Sequence, residues 1–192
     1  MEGIFLVLVG GALFAQAWYV LGMYSEGRTM GILVGGLGVL ALGTVVFAFE
    51  PTLLTGVKDG KDIGLAPGAL LEQTTVMKMA IVAWSLYAIG VGAHGLWDFD
   101  DRAIGFYGGF LAAVTAVVFI YFAIELERVY ADAVWLSLSG AALVLALIAG
   151  VIFFYQALQF IVLRLLTGWS LLLGGAAVGI VGLAIVGAAI TP

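Results

Sequence analysis

Seven neutral polar side chains interrupt the long apolar runs of this sequence, and they could form hydrogen bonds with a solute inside a membrane. They are Gln16, Thr44, Ser85, Thr115, Ser137, Ser139 and Gln156. Amides and hydroxyls both donate and accept hydrogen bonds, so they can replace the water that a small neutral solute loses in a narrow passage. The sequence has no carboxylate in the middle of a run, where a proton relay or an ion pathway normally has one. These residue types favour a neutral solute over an ion, although backbone carbonyls can select cations without charged side chains.

The first apolar run places an amide on an otherwise aliphatic face. Spacings of three and four residues bring one set of side chains to the same face of a helix: Glu2, Leu6, Val9, Leu13, Gln16 and Val20. Such a face suits the wall of a narrow pore, with Leu6 and Leu13 forming a dry constriction, Gln16 supplying its amide and Glu2 at the mouth. The alternative is that Gln16 only bonds a neighbouring helix, an interaction typically worth ~0.6 kcal/mol in membranes.

The third run carries an aromatic stripe with the same spacing. Its members are Ala80, Trp84, Tyr87, Val91 and His94. Rings that face a pore can sandwich a planar solute, and the Tyr87 hydroxyl can bond its carbonyl or amine; the alternative is that both rings only pack. His94 is the only histidine; together with Glu2 it is a candidate mouth or pH-sensing residue, or it is simply a bonded interfacial residue. Ser139, in the fifth run, is a further candidate pore-lining hydroxyl.

Long apolar helices must position these residues. Of the 192 residues, 64% are hydrophobic and 10% are charged, whereas soluble domains are roughly 25% charged. Six runs reach the roughly 20 apolar residues that cross a bilayer, at about 3–24, 30–49, 74–96, 104–124, 134–157 and 168–190. We therefore predict an all-α membrane protein, a single domain of six transmembrane helices in a compact bundle over residues 1–192.

Several classes of function are excluded or disfavoured. The sequence has no cysteine and one histidine, which excludes thiol chemistry and a His-rich metal cluster. No Ser/His/Asp arrangement or pair of carboxylates falls within the runs, so we predict neither an enzyme nor a cofactor. A net charge of −5 offers no basic stripe for nucleic acid. Small-residue motifs such as Gly31-xxx-Gly35 and Gly175-xxx-Gly179 predict close helix packing, within one chain rather than between chains.

Several short motifs resemble the AmiS/UreI family of bacterial urea and short-chain amide channels. The motif most similar to that family is the turn that leads into the fourth run, Asp100-Asp101-Arg102-Ala103-Ile104-Gly105-Phe106-Tyr107. Further agreement comes from Met1-Glu2-Gly3-Ile4-Phe5-Leu6, Val34-Gly35-Gly36-Leu37, Leu86-Tyr87-Ala88 and Thr167-Gly168-Trp169. The resemblance extends over most of the chain.

The resemblance implies a hexameric ring of six-helix protomers in a bacterial cytoplasmic membrane, each with its own pore. It also implies outward-facing termini and an Asp100–Arg102 turn inside the cell; the charges alone do not decide orientation. Leu6, Leu13 and Tyr87 match positions that line the family's pore, and Gln16 stands where the family can have Asn.

The chain departs from the acid-gated members of that family in three ways. Its fifth run has one tryptophan, Trp135, at its border instead of several, Gly174 lies nearest the place of a family glutamate, and the second and fourth loops have no histidine. These differences disfavour acid gating and a urea-specific slot. We predict a passive channel for small neutral amides or urea; the alternative is a non-transporting structural subunit or scaffold of a larger membrane complex.

Overall fold

The computed structural model describes residues 2–23, 26–47, 57–58, 61–62, 67–126 and 133–190. Its six long helices are α1 (Glu2–Leu21), α2 (Gly27–Phe47), α3 (Pro67–Trp97), α4 (Asp101–Tyr121), α5 (Ala133–Ile152) and α6 (Arg164–Ile190). Two-residue strands, β1 (Val57–Lys58) and β2 (Lys61–Asp62), pair antiparallel between α2 and α3. Each of the six helices contains a segment long and apolar enough to cross a membrane, as predicted.

The helix ends differ from the predicted spans in places. Helix α3 begins at Pro67, before the predicted start of the third span at about residue 74. Proline fits the first position of a helix, because its missing N–H is not needed there. Helix α6 begins at Arg164 rather than at residue 168. Some of the predicted features lie outside the described residues. They are the span ends expected at 24 and 49, the side chain of Trp135 and most of the second loop, between α2 and α3.

The helices form a ring in chain order. Each helix packs against the next one in the sequence, and α6 closes the ring by packing extensively on α1. In their most apolar windows α1, α3 and α5 are 50%, 50% and 44% buried, against 28%, 28% and 22% for α2, α4 and α6. The odd-numbered helices are therefore the more deeply buried, and their side chains make up much of the interior.

Bare glycine surfaces allow the closest helix contacts. A Cβ atom on Gly31 would lie 2.7 Å from the Gly92 carbonyl oxygen of α3, and one on Gly175 would lie 2.8 Å from the Gly10 carbonyl oxygen of α1. Both distances are too short for a real side chain, so the backbones meet directly. The prediction that these motifs pack helices within one chain is confirmed.

Irregular segments gather at one end of the ring. Helix α5 continues as a π-helical segment, Phe153–Ala157, and a 3-10 turn, Ile161–Leu163, leads into α6. At the same end, Asp98 has a positive φ of 52° and Asp100 caps α4 by accepting a bond from the Arg102 N–H at 2.9 Å. Arg102 donates to the Gln159 side chain at 2.9 Å, which ties these two connections together.

Candidate solute path

A cavity of about 340 Å³ opens at the end of the ring where the irregular segments lie. We call this cavity the vestibule. All six helices or their extensions contribute to its wall, which includes Gln16, Tyr19, Met30, Val91, His94, Asp101, Ile104, Tyr155, Gln156 and Arg164. Its walls therefore combine amides, hydroxyls and charges of both signs with apolar side chains.

A second, much smaller cavity of about 20 Å³ lies nearer the opposite end. Helix α4 continues as a π-helical segment, Phe122–Leu126. The lining of the small cavity is almost entirely apolar, with residues from α1, α3, α4, α5 and this segment: Phe5, Leu6, Met77, Ala80, Trp84, Thr115, Val118, Phe122, Leu138, Ala142 and Leu145. Because α1 and α3 line both cavities, the two lie along the same interior.

Three of the predicted residues meet between the two cavities. The Tyr87 hydroxyl accepts a bond from Gln16 Nε2 at 2.9 Å and lies 3.2 Å from Gln16 Oε1, to which it can donate. The Trp84 ring meets the Tyr87 ring edge to face, with centroids 5.7 Å apart. All three side chains are at most 2% exposed, so this cluster closes the interior.

The order of residues along two helices places this cluster. On α1, Leu6 lines the small cavity, Gln16 lines the vestibule and the buried Leu13 lies between them. On α3, Trp84 lines the small cavity, His94 lines the vestibule and Tyr87 lies between them. We call the layer of Leu13, Gln16, Trp84 and Tyr87 the constriction.

Two bonds to α4 hold the aromatic side of the constriction. Trp84 Nε1 donates to the Thr115 hydroxyl at 3.1 Å, and the Tyr107 hydroxyl donates to the Ala83 carbonyl at 2.9 Å. The first bond gives the indole N–H an acceptor, and the N–H of a buried tryptophan normally has one. The sequence identified Thr115 as polar but gave no reason to pair it with Trp84, because the pairing depends on how α3 and α4 pack.

His94 is a wall residue of the vestibule with a partner on each ring nitrogen. Nε2 lies 2.9 Å from Asp101 Oδ1, and Nδ1 contacts the Phe99 carbonyl oxygen. Asp98 N–H also donates to the His94 carbonyl at 2.8 Å, so the end of α3 and the start of α4 are joined around this ring. His94 therefore lies at a mouth of the interior, as a bonded residue.

The two remaining predicted site residues lie apart from the constriction. Ser139 is buried on α5 but lines neither cavity, and its role stays a prediction. Glu2, which the sequence placed at a mouth of the pore, is fully buried at the start of α1 and lines neither of these two cavities. The sequence analysis named Gln156 as one polar residue in an apolar run and Asp101 as part of a motif, but it did not place either of them beside Arg164; the vestibule brings the three together.

Together these features define a multi-pass membrane protein whose six-helix ring encloses a polar and an apolar cavity separated by one buried layer. No protein-family model and no curated protein sequence matches the chain. Among solved structures it is similar to the Helicobacter pylori urea channel in its closed state, with a TM-score of 0.69 and 16% identity. That match covers 97% of this chain and 98% of the other. The chain thus has the fold of that urea channel, and the resemblance drawn from its motifs is confirmed at the level of the fold.

Proposed function

We propose that this protein is a passive channel for small neutral solutes, urea or short primary amides, described here in a closed conformation. The observation that carries the proposal is the buried Gln16–Tyr87 pair, which lies between the vestibule and the small apolar cavity. The similarity of the whole chain to a urea channel supports the same reading.

The Gln16–Tyr87 pair suggests how a solute crosses the constriction. The Gln16 side chain is itself a primary amide, and the Tyr87 hydroxyl can accept from its nitrogen and donate to its oxygen. A permeating amide or urea carries the same two groups, so it can exchange with Gln16 at this hydroxyl. Hydrogen bonds are then replaced one at a time instead of being lost together, which lowers the barrier.

The apolar side of the constriction supplies the selectivity against ions. Phe5, Leu6 and Trp84 line this path with apolar atoms, and in the closed conformation they leave only about 20 Å³, room for roughly one water, so the path must widen before a solute passes. A bare ion would be desolvated there without a compensating partner, which is far less favourable than the same step for a neutral amide. The mechanism needs no enzymatic step.

The proposal includes an assembly and a location. By the resemblance of its motifs, six copies form a ring in a bacterial cytoplasmic membrane, with the vestibule facing the cytoplasm and the start of α1 facing outward. Native mass spectrometry of the purified protein should then give six chains per particle. Each protomer holds its own path, because both cavities lie within one chain.

The proposal is tested by stopped-flow light scattering on proteoliposomes exposed to gradients of urea, acetamide or glycerol. We expect urea and acetamide to enter faster than they enter protein-free liposomes, while glycerol enters at the protein-free rate. Rates equal to protein-free liposomes for all three solutes would overturn the proposal. That result would favour the structural-subunit alternative, which predicts co-purification with a partner.

A further inference from the structure

The side-chain oxygen of Gln156 is an unusual atom in the wall of the vestibule. Oε1 is buried, and no hydrogen-bond donor reaches it from the part of the chain that the structure describes. Buried amide oxygens normally have a partner, because removing such an acceptor from water without one is unfavourable. The residue also lines the 340 Å³ cavity, so a rotation of its terminal amide would present this oxygen to a molecule in the vestibule.

The backbone around Gln156 is built to hold it there. Gln156 belongs to the π-helical segment Phe153–Ala157, a type of distortion that frequently occurs at functional sites. Helix α4 supports this segment at Gly105, whose Cβ would lie 2.8 Å from the Gln156 carbonyl carbon and would also meet the backbone of Ala157. Since only glycine allows this contact, α4 and the π-helical segment are held against each other and Gln156 stays at the wall.

The other polar groups of the vestibule indicate which ligand would fit. Asp101 and Arg164 bring opposite charges to the same wall, so the cavity does not favour an ion of one sign. The Arg164 guanidinium is fixed by its Nε–H, which donates to the Val20 carbonyl at 2.8 Å. A ligand for Gln156 Oε1 must bring an N–H or O–H donor, and a neutral ligand avoids conflict with either charge.

We propose that the vestibule contains a solute-binding site separate from the constriction, at which Gln156 Oε1 accepts a hydrogen bond from the amide nitrogen of a primary amide or of urea. This inference rests on the proposed function. It adds a second solute-binding site, on the vestibule side of the Gln16–Tyr87 pair. The site recognises the N–H group, not the carbonyl, so compounds without an N–H lose this contact.

The experiment measures binding without transport. Saturation-transfer NMR titrations on detergent-solubilised protein give apparent Kd values for acetamide, which has N–H groups, and for N,N-dimethylformamide, which has none. The variant is Gln156→Met, which keeps the length of the side chain and removes the acceptor. Gln159→Met is the matched control, because Gln159 lies three residues further on, is exposed and bonds Arg102 at the surface.

We expect Gln156→Met to raise the Kd of acetamide about fivefold, the usual effect of losing one neutral hydrogen bond, and to leave that of dimethylformamide unchanged. Gln159→Met should match the wild type for both compounds. If Gln156→Met does not fold, Gln156→Asn, which draws the oxygen back by one methylene, should show the same loss. An unchanged acetamide Kd, or an equal loss for both compounds, would overturn the site.

The two proposals fail in different measurements. Wild-type proteoliposomes without urea or acetamide flux would overturn the channel function, whatever the binding data show. Normal flux with acetamide binding that does not depend on Gln156 would overturn only the vestibule site.

Discussion

At the scale of single residues, the hydrogen-bonding groups of the constriction are concentrated in one pair, the Gln16 amide and the Tyr87 hydroxyl. Both side chains are buried, and each satisfies the other across α1 and α3. A buried pair of this kind is sensitive to the loss of either member, because the remaining partner keeps its unfavourable burial without its bond.

Gln16→Leu should therefore reduce urea and acetamide flux about tenfold, since a solute at the constriction loses a partner worth ~1–3 kcal/mol. Stopped-flow light scattering on proteoliposomes measures the effect, and size-exclusion chromatography checks that assembly is intact. Gln16→Asn is the control, because it keeps an amide, and it should retain most of the flux. Wild-type flux in Gln16→Leu would contradict the role given to this residue.

Tyr87→Phe should lower the flux to a similar degree, because it removes the hydroxyl and keeps the ring that packs on Trp84. The double variant with Gln16→Leu should be no slower than either single variant, since residues that act as one unit have strongly non-additive effects. The same flux assay on the wild type, the two single variants and the double variant completes this double-mutant cycle. Effects that multiply in the double variant would mean that the two side chains act independently.

At this scale the sequence identified the types of residue but not all their contacts. The helical spacing placed Gln16 and Tyr87 on faces that could meet, and the structure joins them. The sequence offered no means of pairing Trp84 with Thr115 or of placing Gln156 in the vestibule. Those pairings depend on the relative rotation of α3 and α4 and on a π-helical distortion, which periodicity does not encode.

At the scale of elements, direct backbone contact between helices sets the geometry of the ring. Helices α2 and α3 meet through Gly31 and Gly92, and α1 meets α6 through Gly10 and Gly175. Other glycines of the same helices are not used in this way: Gly36 of α2 has nothing near its Cβ position in the described structure. Small residues therefore matter by position, not by number.

Gly31→Ala should destabilise the protein by ~1–3 kcal/mol, the usual effect of overpacking, because its Cβ meets the Gly92 carbonyl oxygen at 2.7 Å. Gly36→Ala, on the same helix, should leave stability unchanged or raise it by ~0.5–1 kcal/mol, since alanine is the better helix former. Thermal unfolding in detergent compares the two variants with the wild type. Equal midpoints for both variants would argue against the close α2–α3 contact.

At the scale of the whole molecule, the ring of helices creates an asymmetric interior. A mixed polar vestibule occupies one end, and a small apolar cavity lies towards the other. In the proposed channel, a solute that enters from the vestibule side would meet hydrogen-bonding groups before the constriction, whereas one from the other side would meet apolar side chains first. The single histidine belongs to the vestibule, where both of its ring nitrogens have partners.

Acid should therefore have little effect on transport. We expect urea flux at pH 5 to stay within roughly twofold of the flux at pH 7.5, because the only histidine is held by Asp101 and Phe99 away from the constriction. Proteoliposomes measured at both values test this expectation. A rise of an order of magnitude on acidification would contradict it, and His94→Gln would then show whether this ring is responsible.

The sequence by itself determined the membrane setting, the number of membrane-spanning helices and which neutral polar residues lie within them. These properties follow from composition and local periodicity, since about 20 apolar residues suffice to specify a span. Only the tertiary structure decided the rest: the closure of the ring by α6 on α1, the meeting of Gln16 with Tyr87, and the vestibule around Gln156. These features join residues far apart in the chain, and they depend on helix rotations set by individual close contacts such as Gly31 on Gly92 and Gly105 on Ala157.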